Sequence, residues 1–351
     1  MNSNLRGKRL ARVVVVCKGS VKSGLGHVMR SRTFAKHASR CCEVHLIVIG
    51  DHYLDALLSG LVIKHHLFRD EAEAIEAIQQ ISPDLVFLDM LECSDEFFAV
   101  VKRSEATFSL SPIFSHLNKV DLVFHRTSVL NPRWSDEGLT DSLRCGLQYN
   151  IIRESCESIP TEVYLQNAQQ FPLAVAISMG GTDASNNTLK LLQAIRDIPR
   201  PILFWVLLGE GYGHSYEELV EAVKQDTNHE IILAKTSDSM WRIMRNCALA
   251  ILAGGTVTYE SAFAGLPSIN LFHSPDNYFL VEELAEKGAC LSAGYPMDAA
   301  VHVAAANLEF LESNRDLLVQ MHTASKDLID KSGAQRIIAE ALNHYWSRQA
   351  S

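Results

Sequence analysis

Residues 23–32 read SGLGHVMRSR and stand a few residues after the apolar run Val13-Val14-Val15-Val16-Cys17. A glycine turn at a strand end lets backbone approach a ligand closely, and the helix that follows offers unpaired N–H groups to an anion. Gly24 and Gly26 make that turn. His27 then falls in the first helical turn, where the positive helix end disfavours imidazolium. A neutral imidazole there can take a proton from water. Arg30, one turn on, would hold a phosphate or orient a partner. A plainer reading stays open, in which His27 caps its own helix and Arg30 faces solvent.

Two more strand ends carry small-residue turns, SMGGTD at 178–183 and LAGGTVTYE at 252–260. One such turn is weak evidence, since tight connections need no ligand. Three in one chain point to a phosphate-bearing ligand. None has the spacing of an ATP-hydrolysing P-loop. Gly254, Gly255 and Thr256 would form an anion-binding helix start. Glu260, one turn into that helix, cannot welcome a phosphate but can accept hydrogen bonds from two ribose hydroxyls. The alternative for Glu260 is a surface helix residue. Asp89, at a strand's C-terminal end, suits a site or a helix cap, and Asp183 in GGTDASNN leaves the same choice. His65-His66 and Cys41-Cys42 lack the spacing of metal ligands.

These turns need elements to carry them. Continuous apolar runs at 13–17, 44–49, 85–88, 107–110 and 122–124 predict strands, with helical spacing at 28–38, 71–81 and 96–103. The polar stretch at 154–172 reads as a connection, with room for a short helix. Strands are then expected at 173–179, 202–208, 231–234, 249–253 and 268–272. Helices are expected at 187–196, 216–223, 239–247, 257–264 and 278–287, and from Asp298 onward almost throughout. Apolar strands interleaved with helices mean parallel sheets covered on both faces. The 351 residues thus divide into two doubly wound α/β domains, 1–155 and 156–351, with the last helix able to cross back to the first.

Composition narrows the function. A net charge of −9 argues against nucleic-acid or anionic-membrane partners, which need clustered Lys and Arg. The basic-then-apolar N-terminus is too short in its apolar part for a signal peptide, and no later run is long enough to span a membrane. The 8 cysteines include no Cys-x-x-Cys pair, which suggests free thiols in a reducing cytoplasm.

The motifs together resemble those of the UDP-2,4-diacetamido-2,4,6-trideoxy-β-L-altropyranose hydrolases of pseudaminic acid biosynthesis and the related spore-coat polysaccharide proteins. Both groups are similar to GT-B glycosyltransferases such as the lipid II-forming N-acetylglucosaminyltransferase. The matching stretches are GLGHVMRSRTFA (24–35), CGLQYNIIRESC (145–156), ISMGGTDASNNTLKLLQAI (177–195), DSMWRIMRNCALAILAGGTVTYESAFAGLPSI (238–269) and DN (276–277), in family order. The resemblance implies a GT-B fold, two Rossmann-like domains facing across a cleft. It makes His27 the base that activates water against the anomeric carbon, and Gly26 the point where the sugar diphosphate approaches. Gly180, Gly181 and Thr182 would line the cleft. Gly255, Thr256 and Val257 would give backbone N–H groups to the pyrophosphate, Glu260 would bind ribose, and Asn277 would meet sugar or phosphate. Uracil would lie near Lys235 and Met240. The family implies no redox cofactor, and proteins of this kind can work as monomers.

The chain also departs from the family. CKGSVKSG replaces the usual Arg-x-Asp-x-Ser, so Lys18 and Gly19 stand in its place. LDMLECS lacks an aromatic after Asp89, and the usual Asn-Gln pair is Asn277-Tyr278. These positions would read the sugar. Three functions therefore remain: hydrolysis of a UDP-sugar, transfer of its sugar to an acceptor, and nucleotide-sugar binding without catalysis; an epimerase on the same fold is a further reading that no motif supports.

Overall fold

In the first strand Val13, Val15 and Cys17 pack into one apolar cluster, and Val14 and Val16 into another on the opposite face. Side chains alternate across a strand, so an unbroken apolar run is what a sheet buried on both faces requires. The computed structural model describes residues 9–20, 24–111, 113–130, 141–236, 239–272, 277–295 and 297–349. The first sheet comprises β1 (Arg12–Gly19), β2 (Glu43–Gly50), β3 (Lys64–Phe68), β4 (Leu85–Asp89), β5 (Ala106–Ser109), β6 (Leu122–His125) and β7 (Leu143–Cys145). The second comprises β8 (Leu173–Ser178), β9 (Ile202–Leu208), β10 (Glu230–Lys235), β11 (Leu249–Leu252), β12 (Ser268–Leu271) and β13 (Cys290–Gly294). Their orders are β3-β2-β1-β4-β5-β6-β7 and β10-β9-β8-β11-β12-β13, and the named strands pair in parallel.

The first sheet is flanked by α1 (Gly26–Ala38), α2 (Asp55–Leu58), α3 (Glu71–Ile81) and α4 (Asp95–Val101). The second half carries α5 (Thr161–Gln169), α6 (Asn187–Ile195), α7 (Tyr216–Gln225), α8 (Met240–Met244), α9 (Thr256–Ala264), α10 (Phe279–Glu286), α11 (Met297–Ser313), α12 (Arg315–Ser325) and α13 (Gly333–Gln349). Local signals start and stop them. Asp70 and Ser94 accept hydrogen bonds from the Glu73 and Phe97 amides at the starts of α3 and α4. Gly265 closes α9 in the left-handed conformation, just before Pro267.

Strand order determines where a ligand can sit. In each sheet the winding reverses at one crevice, between β1 and β4 and between β8 and β11. A doubly wound sheet binds at the carboxyl ends of the strands flanking that crevice. The three glycine turns follow β1, β8 and β11, and Asp89 ends β4. All four therefore lie at the two switch points.

Three strands had no sequence signal. β3, β7 and β13 are edge strands, short and partly exposed, without a continuous apolar run, whereas the fourth edge strand, β10, kept enough of one to be expected at 231–234. The polar stretch at 154–172 uses the room it has for a short helix. It holds α5, whose Tyr164 is buried and donates its hydroxyl proton to the Ala248 carbonyl at 2.8 Å. The last helix crosses back, and Ile337, Ile338, Ala341 and Tyr345 of α13 complete the apolar cluster containing Val13 and Phe34. Among the described residues no helix is long and apolar enough to cross a membrane.

Candidate active site

Asp89 organises the first-domain half of the site. It is fully buried at the end of β4. Arg30 binds it with two nitrogens, Nε donating to Oδ2 at 2.9 Å and Nη2 to Oδ1. Ser31 Oγ donates to Oδ2 at 3.0 Å, and His27 Nδ1 lies 2.6 Å from Oδ1. Burial alone would raise the Asp89 carboxyl, but Arg30 and His27 beside it outweigh that and hold it far below the usual carboxylate range. An ionised carboxylate on Nδ1 makes that nitrogen the donor. With Nδ1 so engaged, Nε2 is the nitrogen whose lone pair can take a proton whenever the ring is neutral. The chain achieves this because β1 and β4 are neighbours, with Cys17 opposite Asp89 in register, and α1 starts just beyond β1.

This geometry chooses between sequence expectations. Of the two options for Arg30, holding a phosphate or orienting a partner, it takes the second, and Asp89, a candidate for the site or a helix cap, sits behind the site without meeting the cleft. Asp89 is sealed off, and Arg30 is only 6% exposed with its guanidinium committed to Asp89. Their chemistry is to orient and polarise His27. The side chain of His27 is 20% exposed.

A cleft of ≈ 380 Å³ opens between the two halves. The first half contributes Gly24, Leu25, Gly26, Met29, Leu57 and Arg153. Gly180, Gly181, Thr182, Gly255, Thr256, Val257 and Asn277 line it from the other side, as does Met240. His27, Arg30, Asp89, Gly254 and Glu260 are not lining residues; His27 stands between the lining residues Gly26 and Met29. A Cβ on Gly181 would meet the Leu25 side chain at 2.6 Å, so glycine there lets the two halves close on each other. Gly254 has φ +60 and lies against the Phe272 ring, and this shapes the turn into α9.

Glu260, expected to bind ribose, is not among the residues that line the cleft. It is 2% exposed, Oε1 accepts from Arg153 Nε at 2.8 Å, and Oε2 accepts from Trp241 Nε1 at 3.3 Å. Each oxygen keeps a second acceptor site. In this arrangement Glu260 anchors the lining residue Arg153 from behind the cleft. Asp183 takes the capping option: its two oxygens accept from the Asn187 and Thr188 amides at 2.7 and 2.8 Å. Lys235 lies outside the cleft lining and pairs with the lining residue Glu210 at 3.5 Å. Lys18 turns to Glu71 and the Glu92 carbonyl. Gly19 has no room for a side chain, since a Cβ would meet Val28 at 2.5 Å. Pro275 and Asp276 lie outside the described residues.

Sequence reasoning missed Arg126 and gave Arg153 no role. Arg126 follows β6, donates to Thr256 Oγ1 at 3.2 Å and lies over the Tyr259 ring at 4.9 Å. Only its position beyond a strand end hinted at a site. Among the described residues, no group of three or more His, Cys, Asp and Glu side chains is placed to hold a metal ion.

Comparison with known proteins places the fold. MurG of Acinetobacter baumannii superposes with a TM-score of 0.65 at 15% identity, covering 94% of this chain and 98% of that one. HepE of Anabaena, solved in complex with UDP-glucose, gives 0.65 at 13% identity over 95% of this chain and 100% of that one. UDP-GlcNAc 2-epimerase of Neisseria meningitidis, bound to UDP-GlcNAc, gives 0.58 at 11% identity over 95% and 100%. The chain has the GT-B fold. In sequence, an uncharacterized protein of Methanocaldococcus jannaschii is 23% identical over 318 residues, 86% of this chain but 66% of that protein, so this chain spans less than two thirds of it. The spore coat polysaccharide biosynthesis protein SpsG of Bacillus subtilis is 21% identical over 340 residues, 93% of this chain and 96% of SpsG. No protein-family model matches.

Proposed function

We propose that the chain is a nucleotide-sugar enzyme, and specifically a hydrolase that splits a UDP-linked diacetamido-trideoxy sugar into free sugar and UDP. The observation that carries this reading is His27 held by buried Asp89 beside a cleft between two helix N-termini. His27 Nε2 takes a proton from water as the water oxygen bonds to the anomeric carbon. The bond from that carbon to the diphosphate oxygen breaks, and its electrons leave with UDP. Attack from the face opposite UDP inverts the centre. The amides at the start of α9 meet the leaving charge, so no strong general acid is needed, unlike a glycosidase with paired carboxylates. The UDP-sugars named with two structural neighbours and the polysaccharide role in the name of SpsG support the substrate class.

The test is UDP release from UDP-linked 2,4-diacetamido-trideoxyhexoses without an acceptor, with His27→Ala as control. UDP release that falls by about 10²-fold or more in the variant supports hydrolysis. Release only after an acceptor is added replaces hydrolysis with transfer. Binding without release under either condition leaves a nucleotide-sugar-binding protein.

A further inference from the structure

Two arginines stand behind the cleft with different partners. Arg30 has Asp89 as its counterion. Arg126 has no ion pair of its own among the described residues: its direct partners there are the Thr256 hydroxyl and the Tyr259 ring, both uncharged, and the nearby Asp89 that attracts it is already bound by Arg30. Burial, and next to it the Arg30 charge, push the Arg126 guanidinium down to about 10. It remains a cation at neutral pH, held where a cation is unwelcome. A half-buried charge without an ion pair of its own persists where something offsets it. Its hydrogen bond shows the direction in which that offset lies. Thr256 lines the cleft at the first residue of α9, and a Cβ on Gly26 would lie 3.7 Å from its hydroxyl. The starts of α1 and α9 therefore face each other at this point, with Arg126 one hydrogen bond behind.

We propose that Arg126 is a positioning residue for the diphosphate of the bound nucleotide: it fixes the Thr256 hydroxyl and supplies the positive charge that the diphosphate neutralises. This rests on the nucleotide-sugar reading of the cleft. The first half of the molecule thereby contributes charge to a phosphate site built from the second half. Occupancy of the site and closure of the two halves become linked, because the anion is met by groups from both sides.

The experiment compares UDP and uridine binding to wild type, Arg126→Met, Arg126→Lys and Thr256→Val, with thermal melts of each unliganded protein. Arg126→Met is expected to weaken UDP roughly 10- to 100-fold while leaving uridine within about twofold. Arg126→Lys recovers part of the loss, and raising salt weakens wild-type UDP binding more than that of the Met variant. Thr256→Val, which keeps the fold if Arg126→Met does not, gives the same UDP-selective loss. Unchanged UDP affinity in the variants overturns the proposal. So does a parallel loss of UDP and uridine, which marks a merely structural role. A wild type that ignores UDP but binds another nucleoside diphosphate, weakened by Arg126→Met, overturns the uracil reading and keeps Arg126. A wild type that binds none of them overturns both.

Discussion

At the scale of single residues, His27 is defined by what lies behind it. Asp89 takes Nδ1, and Arg30 and Ser31 hold Asp89. Asp89→Asn keeps the shape but allows the amide to donate to Nδ1, which selects the wrong tautomer. Turnover is expected to fall about 10²- to 10⁴-fold with KM changed little. Steady-state kinetics on the UDP-sugar checks this, and an unchanged kcat removes Asp89 from the mechanism. The same residue sets an acid limit on stability. Its folded carboxyl lies below the unfolded value of about 3.9, so its contribution is present above that pH and fades as pH falls through the folded value. Much of the acid loss therefore lies below pH about 4.

At the scale of elements, the cleft depends on a loop and a strand end meeting without a side chain between them. Gly181 follows β8, and Leu25 precedes α1. A methyl at Gly181 collides with Leu25, and a packed interface charges about 1–3 kcal/mol for such an intrusion. Gly181→Ala is expected to lose that much stability and to raise KM, since both residues line the cleft. Leu25→Ala in the same chain should restore most of the loss. A double-mutant cycle by urea unfolding measures the coupling, and additive losses would show that the two halves do not meet here.

At the scale of the whole molecule, the segment after β6 ties the halves together. Thr127 Oγ1 and the Ser128 amide donate to Glu283 of α10 at 2.8 and 2.7 Å, and His125 stacks on Phe279 at 5.8 Å. Burial lowers His125 to about 4. The unfolded ring, near 6.5, takes a proton that the folded ring refuses. Stability from His125 is therefore complete above pH about 6.5 and declines as pH falls towards 4, by about 3 kcal/mol in all. His125→Gln is expected to flatten this part of the profile. Urea unfolding at pH 7, 5.5 and 4.5 checks it, and equal slopes in the two proteins would move the pH dependence elsewhere.

The chain alone determined the class of fold and the order of its parts. Strands covered on both faces are continuous apolar runs, and turns that admit phosphate need small residues, so both can be read from one dimension. The buried strands and the glycine turns at their ends were legible for that reason, and helical spacing made the returning last helix legible. Three of the four edge strands, β3, β7 and β13, were not, because partial exposure leaves them no apolar run. Nor were the electrostatic roles. Asp89 and Arg30 are 59 positions apart, Arg153 and Glu260 107, and Arg126 and Thr256 130. Whether a carboxylate faces a ligand or an arginine depends on which strands are neighbours and which halves meet. Only the tertiary structure decided that, because burial and charge pairing are properties of three-dimensional proximity.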